Sequence, residues 1–266
     1  MDFLLECIGF LPEDDPESLA ELALREGEAA PWRGDPDRHR RLDLGGGLEL
    51  RADREEGQDF WTVLPHYQVP HRMRVAVEQL QLVPDSPFDA LLSGWACPPP
   101  FSLRPRPSWS APGAYRLTTW LSDARRLPRS LPAGHVLAVS VAGFALDVTY
   151  VGPNDGVRDQ AILERERGAF VAPLGAGDAP GGCCDVSLRI REIRHVRNRF
   201  TGRAVDVLVC DAPDRPLTLF TSPFQLEHDG YEAPRPGWRI EGTFLFTGHV
   251  SGGLRGPRRE AGRAFG

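Results

Sequence analysis

A stretch of 13 residues near the C-terminus, WRIEGTFLFTGHV, alternates between apolar and polar positions. Its apolar side chains recur with period two, at Trp238, Ile240, Phe244, Phe246 and Val250. Polar side chains occupy the alternate positions, with Leu245 as the exception. Alternation over this length predicts one long strand with a single buried face. Gly242 and Gly248 interrupt it, and such glycines are typical of a strand that bends or bulges around a small barrel.

A second stretch of the same form lies about a hundred residues earlier, at 131–152, and reads LPAGHVLAVSVAGFALDVTYVG. Like the first, it follows a proline and a glycine and is long, apolar and β-branched. The chain also contains 28 glycines and 25 prolines, which favour many turns and short strands over long helices. We therefore predict a mainly β, α+β chain with a few short helices.

The two stretches belong to a longer parallel between the halves of the chain. LTTWLS at 117–122 corresponds to LTLFTS at 217–222, and Gly134-His135 then corresponds to Gly237-Trp238. Upstream, VAVEQLQLV from 75 matches VSLRIREIR from 186 in pattern, although a rival match of Ser-Pro-Phe at 86 and 222 has a different offset. The order predicts an internal duplication of a β module. The alternative is a chance likeness of two β-rich halves with biased composition.

Two segments dense in proline or glycine, 97–113 and 172–182, are predicted linkers. We expect an N-terminal β-rich module over 1–170 with an N-terminal helix, a C-terminal module over 171–251, and a flexible tail over 252–266. In 185–250 there are about five strand segments, a short insert before the last pair and a glycine-interrupted long strand. This spacing resembles a small, partly open OB-type barrel.

Several local signals predict individual elements. An apolar run at 3–10 is interpreted as a strand, and three glycines in LDLGGGLEL predict a turn between two strands. Asp15-Pro16 is typical of a helix start, and Gly27 of its end. Short helices are also predicted after Ser86-Pro87, over 88–93, and over 155–167.

Composition excludes some chemistry. All 31 basic side chains are arginine, so neither a Schiff-base lysine nor a phosphate-loop lysine exists. The five cysteines are odd in number and form no CxxC motif, which favours reduced thiols. The N-terminal residues carry acids where a signal peptide needs positive charge, and no apolar run is long enough for a membrane span. We expect a cytoplasmic protein without a membrane partner.

The strongest candidate binding site is a cluster of basic residues in VSLRIREIRHVRNRFTGR. Its members are Arg189, Arg191, Arg194, His195, Arg197, Arg199 and Arg203. Beside Phe200 and Tyr231, these side chains could hold phosphates and stack bases of a single-stranded nucleic acid. The alternative is a solvated strand face whose arginines pair with the nearby acids Glu192, Asp206 and Asp211.

A weaker candidate is a metal site at PHYQVPH, where His66 and His71 are five residues apart. A zinc site needs further ligands, and Asp59 and Cys97 are the candidates for a third. The glycine-rich GAGDAPGG leads into a predicted strand rather than a helix and is rejected as a phosphate loop. No cofactor and no catalytic residue is predicted.

Three functions remain open from the sequence. The favoured hypothesis is a non-enzymatic binding or scaffold protein that presents loops or an edge strand to a protein partner. The first alternative is an OB-like single-stranded nucleic-acid binder that uses the 189–203 cluster. The second is an enzyme with a loop-built site around His66, His71 and acids such as Asp59.

Overall fold

The computed structural model describes residues 3–29, 37–83, 86, 89–97, 113–128, 131–152, 169–175, 181–213, 215–230 and 232–252. Within these ranges the protein is mainly β. The helices are α1 (Phe3–Glu6), α2 (Pro16–Glu26), a short 3-10 helix (Ala124–Arg126) and α3 (Pro223–His228). No helix in the described ranges has the length and apolar character needed to cross a membrane.

Thirteen strands are described. The first four are β1 (Glu28–Ala29), β2 (His39–Gly45), β3 (Leu48–Asp53) and β4 (Thr62–Tyr67). The next four are β5 (Met73–Leu82), β6 (Ala90–Ala96), β7 (Tyr115–Leu121) and β8 (Val136–Val151). The last five are β9 (Phe170–Pro173), β10 (Cys183–Arg197), β11 (Ala204–Asp211), β12 (Leu217–Phe220) and β13 (Arg239–Gly252).

The N-terminal segment differs from its predicted strand. Residues 3–6 form helix α1, and turns follow to Gly9. The apolar side chains after Phe3 are nearly all buried: Leu4, Leu5, Cys7, Ile8 and Phe10. The prediction was wrong because a short, continuous apolar run has no periodicity that separates a buried helix turn from a buried strand.

Helix α2 confirms its predicted boundaries. The Asp15 carboxylate accepts a hydrogen bond from the backbone N–H of Ser18 at 2.9 Å, Pro16 occupies the first turn, and Gly27 follows the last helical residue. The buried residues Leu19, Ala20 and Ala23 form its apolar face. This face covers an antiparallel sheet, since α2 contacts β2, β3 and β4.

That first sheet has the order β1-β2-β3-β4. Its β2–β3 turn contains the three glycines that predicted it, with φ values of 91°, 61° and 89° at Gly45, Gly46 and Gly47. Left-handed backbone at three consecutive positions suits glycine because it has no Cβ to clash. The turn prediction is confirmed.

The second sheet contains β5 to β13 in the order β11-β12-β8-β5-β6-β7-β13-β10-β9, and β10 also pairs with β11 and β8 with β13. The helix predicted over 88–93 is wrong, because β6 begins at Ala90. Cross-strand pairing of β6 to β5 and β7 on both sides overrides the local helical preference. The helix predicted over 155–167 lies outside the described residues.

The same pairing scheme occurs twice in this sheet. Strands β5, β6 and β7 form an antiparallel meander, and β8 returns to pair with β5. Strands β10, β11 and β12 form a second meander, and β13 returns to pair with β10. The connection before the returning strand contains the 3-10 helix in the first case and α3 in the second.

The two copies of the scheme agree residue by residue. Val75 lies opposite Leu137 in one, and Leu188 lies opposite Ile240 in the other. The first strand of each meander has a register shift, between Val77 and Gln79 in β5 and between Ile190 and Glu192 in β10. Each returning strand follows a left-handed glycine, Gly134 or Gly237, whose N–H donates to the carbonyl of Val77 or Ile190 at 2.7 Å.

Strands β8 and β13 join the two copies. They pair antiparallel along almost their whole length, with Gly143 opposite Phe246. The middle of β8 and the second half of β13 also run parallel to the last strand of the other meander, so that Phe144 pairs with Phe220 and Thr247 with Trp120. The stacked rings of Phe144 and Phe220, with centroids 4.9 Å apart, are fully buried at this junction.

Strands from both sides of residue 170 therefore hydrogen-bond within one sheet. The division into folding modules at 170 and the OB-type form of the C-terminal module stay predictions. The predicted tail over 252–266 lies, apart from Gly252 at the end of β13, outside the described residues.

Candidate functional site

The most unusual feature of the first sheet is a buried polar face. Strand β3 alternates between apolar and charged side chains, LELRAD, yet all six residues are buried. Leu48, Leu50 and Ala52 face one side, and Glu49, Arg51 and Asp53 face the other. Burying charged groups is unfavourable unless they are paired and hydrogen-bonded. The charged face must therefore lie against other polar groups.

Those polar groups come from the second sheet. The hydroxyl of Thr247 in β13 donates to the carbonyl oxygen of Pro65 in β4 at 3.0 Å, which links the two sheets. His249 and Ser251 follow at alternate positions on β13. The hydroxyl oxygens of Ser251 and Ser140 of β8 are 3.0 Å apart.

A cleft of about 320 Å³ opens between the two sheets. We call it the arginine cleft. Its polar lining consists of Arg41, Glu49, Arg51, Gln68, Arg72, Ser140, His249 and Ser251. Strands β2 and β3 supply the first three residues, the turn before β5 supplies Gln68 and Arg72, and the long strands β8 and β13 supply the rest.

Glu49 is the centre of the ionic contacts in the cleft. Its carboxylate accepts a hydrogen bond from the Gln68 side chain and lies 3.5 Å from an Arg41 guanidinium nitrogen and 3.6 Å from one of Arg51. Glu49 is 4% exposed and Arg51 is 5% exposed. These contacts hold two guanidinium groups at one wall of the cleft.

His249 lies at the opposite wall, near a buried carboxylate. Asp123, which has no exposed surface, accepts hydrogen bonds from the Val250 N–H at 2.9 Å and from Arg126 at 3.2 Å. Burial lowers the pKa of His249, and the charges of Arg51 and Arg126 lower it too, while Asp123 and Glu49 oppose the shift. The imidazole is therefore neutral at pH 7.

The charges in the lining do not balance. Among the described residues that line the cleft, three guanidinium groups face one carboxylate, so guanidinium groups are in excess at pH 7 while His249 is neutral. Arg41 shares its charge with the exposed Glu28, whose carboxylate oxygen is 2.9 Å away. The arrangement can attract and orient an anion through planar, charged donors.

The basic cluster predicted from the sequence lies on the β10–β11 hairpin. All seven side chains are exposed: Arg189, Arg191, Arg194, His195, Arg197, Arg199 and Arg203. Three of them pair with the acids named in the alternative interpretation, each at 2.8 Å: Arg191 with Asp211, Arg194 with Glu192, and His195 with Asp206. These ion pairs reduce the positive charge that the hairpin presents.

The aromatic rings beside this cluster are already in contact with its arginines. The Arg199 guanidinium lies 4.9 Å from the ring centroid of Phe200, and that of Arg203 lies 5.0 Å from Phe224. Tyr231 lies outside the described residues. The cluster stays a predicted binding site, now with its stacking surfaces partly covered.

The two histidines of the predicted metal site have different environments. His66 lies on β4, opposite Glu49, and is 3% exposed, whereas His71 is exposed in the turn before β5. Asp59 and Cys97 lie in separate loops. Among the described residues, no group of three or more histidine, cysteine or acidic side chains has the arrangement of a metal site.

The thiols are protected by burial. Cys183 and Cys184 are the first two residues of β10. Burial raises the pKa of Cys183 to about 11 and that of Cys184 to about 12, and it raises the pKa of Cys7 and Cys210 as well. A thiolate nucleophile is therefore disfavoured at these four positions near neutral pH.

Sequence reasoning missed the arginine cleft. Alternation in LELRAD and in the His249 segment predicts strands with one polar face, and such a face is ordinarily solvated. Nothing in a single strand shows that its polar face meets the polar face of another sheet. The signal in the sequence is that Glu49 and Arg51 are two residues apart on β3. The tight turn before β3 places Arg41 of β2 opposite Arg51, so all three lie on one face.

Comparisons with protein-family models, with curated proteins and with solved structures find no match to this chain.

Proposed function

We propose that the protein is a non-enzymatic binding protein that holds a small ligand in the arginine cleft. The supporting observation is the buried charged face of β3, of which Glu49 and Arg51 open onto a cleft instead of filling it. A volume of about 320 Å³ is within the range typical of small-molecule sites. The cleft also lies between two sheets, where ligand sites commonly form.

The chemistry of the lining supports binding more than catalysis. Its donors are guanidinium groups, which stay charged at every ordinary pH and exchange no protons with a substrate. Its histidine is half-buried near one of those guanidinium groups, Arg51, and near Arg126 outside the lining. These groups orient a ligand and balance its charge, and they offer no activated nucleophile.

We further propose that the second sheet arose by internal duplication of an OB-type module. An OB-type barrel has a three-stranded meander, a fourth strand that pairs with the first, and a fifth strand parallel to the third. The first meander with β8 meets this description if β13 supplies the fifth strand, and the second meander with β13 meets it if β8 does. The final strand segment of each module would thus serve as the fifth strand of the other module.

The hypotheses from the sequence remain predictions beside this proposal. A protein partner is still expected at an edge strand, and β9 is an edge of the second sheet. Single-stranded nucleic-acid binding through the β10–β11 hairpin is less favoured, since three of its basic residues already have acidic partners. An enzyme centred on His66 and His71 is less favoured because one ring is buried and the other exposed.

A ligand screen with a blocked cleft tests the proposal. Thermal unfolding of the full chain would be followed against a library of polar metabolites. The same screen would be run on Ser251→Trp, which fills the cleft, and on Thr149→Trp, which changes an exposed position of β8. We expect compounds that stabilise the wild type and Thr149→Trp but not Ser251→Trp.

The result that contradicts the proposal is equally specific. If every stabilising compound acts on Ser251→Trp as strongly as on the wild type, ligands bind elsewhere and the cleft is not the site. A library in which no compound stabilises the wild type also contradicts it.

A further inference from the structure

The polar groups of the arginine cleft identify the class of ligand that it would take. Resting on the proposed function above, we infer that the ligand is a small molecule bearing an anionic oxygen group, either a phosphate group or a pair of carboxylates. The cleft would hold this group between the guanidinium wall of the first sheet and the hydroxyl and imidazole wall of β8 and β13.

Charge is the first argument. Among the described residues, the lining contains Arg41, Arg51 and Arg72, with Glu49 as its one carboxylate. An anionic ligand offsets this excess of guanidinium groups, part of which Glu28 already offsets at Arg41, whereas a neutral ligand does not and a cation is repelled. At about 5% exposure, Arg51 is poorly solvated, so an anion brought to it replaces little water and interacts in a low local dielectric.

Donor geometry is the second argument. Guanidinium groups present parallel N–H donors that match the oxygen spacing of carboxylates and phosphates. Glu49 fixes the positions of two of these groups through contacts of 3.5 Å and 3.6 Å. Such fixed donors lose little conformational freedom when they bind, which favours affinity.

The opposite wall supplies further donors. The Ser140 and Ser251 hydroxyls are 3.0 Å apart, and at least one of them has its proton available for a ligand oxygen, because a single hydrogen bond between two hydroxyls uses only one proton. The neutral imidazole of His249 has one N–H donor. A group with several acceptor oxygens can use both walls at once.

Arg72 extends the cleft toward solvent. Its side chain is exposed in the turn before β5, and its carbonyl oxygen accepts a hydrogen bond from Arg215 at 3.2 Å, which fixes the turn. An exposed arginine at the rim attracts an anion over a distance of about 10 Å at moderate ionic strength. Arg51 then contacts the anion inside the cleft.

Titration calorimetry on the full chain tests the inference. The probes are inorganic phosphate, succinate and the neutral isostere succinamide, all at pH 7 and equal ionic strength. We expect phosphate, succinate or both to bind, and succinamide to bind at least about tenfold more weakly than the better anion, because it lacks the charge that meets Arg51.

Three variants locate the site. Arg51→Gln is expected to weaken anion binding by about tenfold or more, and Arg72→Gln by about two- to fivefold since its side chain is exposed. Arg235→Gln is the matched control, because this arginine is exposed and paired with Glu232 before β13. If Arg51→Gln does not fold, Arg72→Gln and Ser251→Trp still report on the cleft.

The outcomes separate this inference from the proposed function. Binding of succinamide as strong as that of succinate, and lost in Ser251→Trp, overturns the anionic class but leaves the cleft as the binding site. Anion binding that Arg72→Gln and Ser251→Trp leave unchanged overturns the inference. Failure of both anions to bind also overturns it, while the metabolite screen independently decides whether the cleft binds another ligand.

Discussion

At the scale of single residues, the titration of His249 gives a prediction for stability. Its pKa in the folded protein is below the ordinary value of 6.5 because of burial. Between 6.5 and that lowered value, the unfolded chain binds a proton at this position and the folded chain does not. Above pH 6.5 His249 therefore does not lower the free energy of unfolding. As the pH falls below 6.5, the free energy of unfolding decreases because the unfolded chain takes up the proton first.

We expect the variant His249→Gln to lose less stability than the wild type when the pH falls from 7.5 to 5.5. Urea unfolding at the two pH values measures the difference. The control is His195→Gln, since this ring is exposed and paired with Asp206. An equal loss of stability in His249→Gln and in the wild type would contradict the assigned cause.

The buried thiols give a second residue-scale prediction. Because four of the five cysteines are buried with raised pKa values, the folded protein should react rapidly with Ellman's reagent at pH 7.5 at no more than one position, the half-buried Cys97. All five should react in denaturant. Fast reaction of two or more thiols in the native protein is the contrary result, and Cys97→Ser identifies the reactive position.

Residues of the site were predictable only in part. The seven basic residues are exposed on the β10–β11 hairpin, and the acids named in the alternative interpretation pair with three of them. Ligand binding by this group stays a prediction. Arg51 and His249 were not singled out. Their importance depends on which surface each strand faces, and that is decided by contacts between segments almost two hundred residues apart.

At the scale of elements, the glycine in the long strand β13 has a testable role. Gly242 has φ +149°, and a Cβ added there would lie 2.1 Å from the carbonyl oxygen of Asp147 on β8. The two strands approach closely at this point, just before a register shift between Thr243 and Phe244. Gly242→Ala should therefore lower the free energy of unfolding by about 3 kcal/mol or more.

Two control substitutions separate the causes. Gly57→Ala tests backbone strain alone, because Gly57 has φ +84° with open space around it, and it should cost about 1–2 kcal/mol. Gly252→Ala has neither strain nor a close contact and should stay within about 1 kcal/mol of the wild type. Chemical denaturation measures all three. A cost for Gly242→Ala no larger than that for Gly57→Ala would show that the close approach is unimportant.

Elements with strong periodicity or end signals were predictable, and short apolar runs were not. The alternation at 238–250 predicted β13, which covers Arg239–Gly252, and the Asp15 and Gly27 signals bounded α2 correctly. The run at 3–10 was assigned to a strand and forms α1 with turns. Its apolar side chains fill the core in either conformation, so tertiary contacts and not local pattern decide its structure.

At the scale of the whole molecule, the correspondences between the halves of the sequence match the pairing in the sheet. One pair of positions with the 103-residue offset of Gly134 and Gly237, namely Gly143 and Phe246, lies opposite each other in the β8–β13 pair. That coincidence is what a two-fold relation between equivalent strands requires, and it supports the proposed duplication. Exchange of strand segments between the halves was not predictable, because the pattern of a strand does not show which partner it has.

The exchange leads to a prediction for the folding of the halves. A fragment ending at Gly152 has β8 but lacks β13, and a fragment beginning at Ala169 has β13 but lacks β8, so in each fragment the long strand would lose its partner along the shared edge. Neither fragment should fold alone, since each lacks one strand of its own closed set of pairings. Expressed together, the two should associate into a folded complex.

Co-expression with a tag on one fragment measures this association, followed by circular dichroism and urea unfolding of the complex and of each fragment. The intact chain should unfold in a single transition, because β8 and β13 pair with strands of both meanders and couple their unfolding.

Gly143→Val is the informative variant. A Cβ there would lie 2.7 Å from the side chain of Leu219 and 3.0 Å from that of Phe246, so the variant should weaken association of the fragments. A fragment that folds alone, or two separate transitions in the intact chain, would mean that the halves are independent and that the shared strands do not couple them.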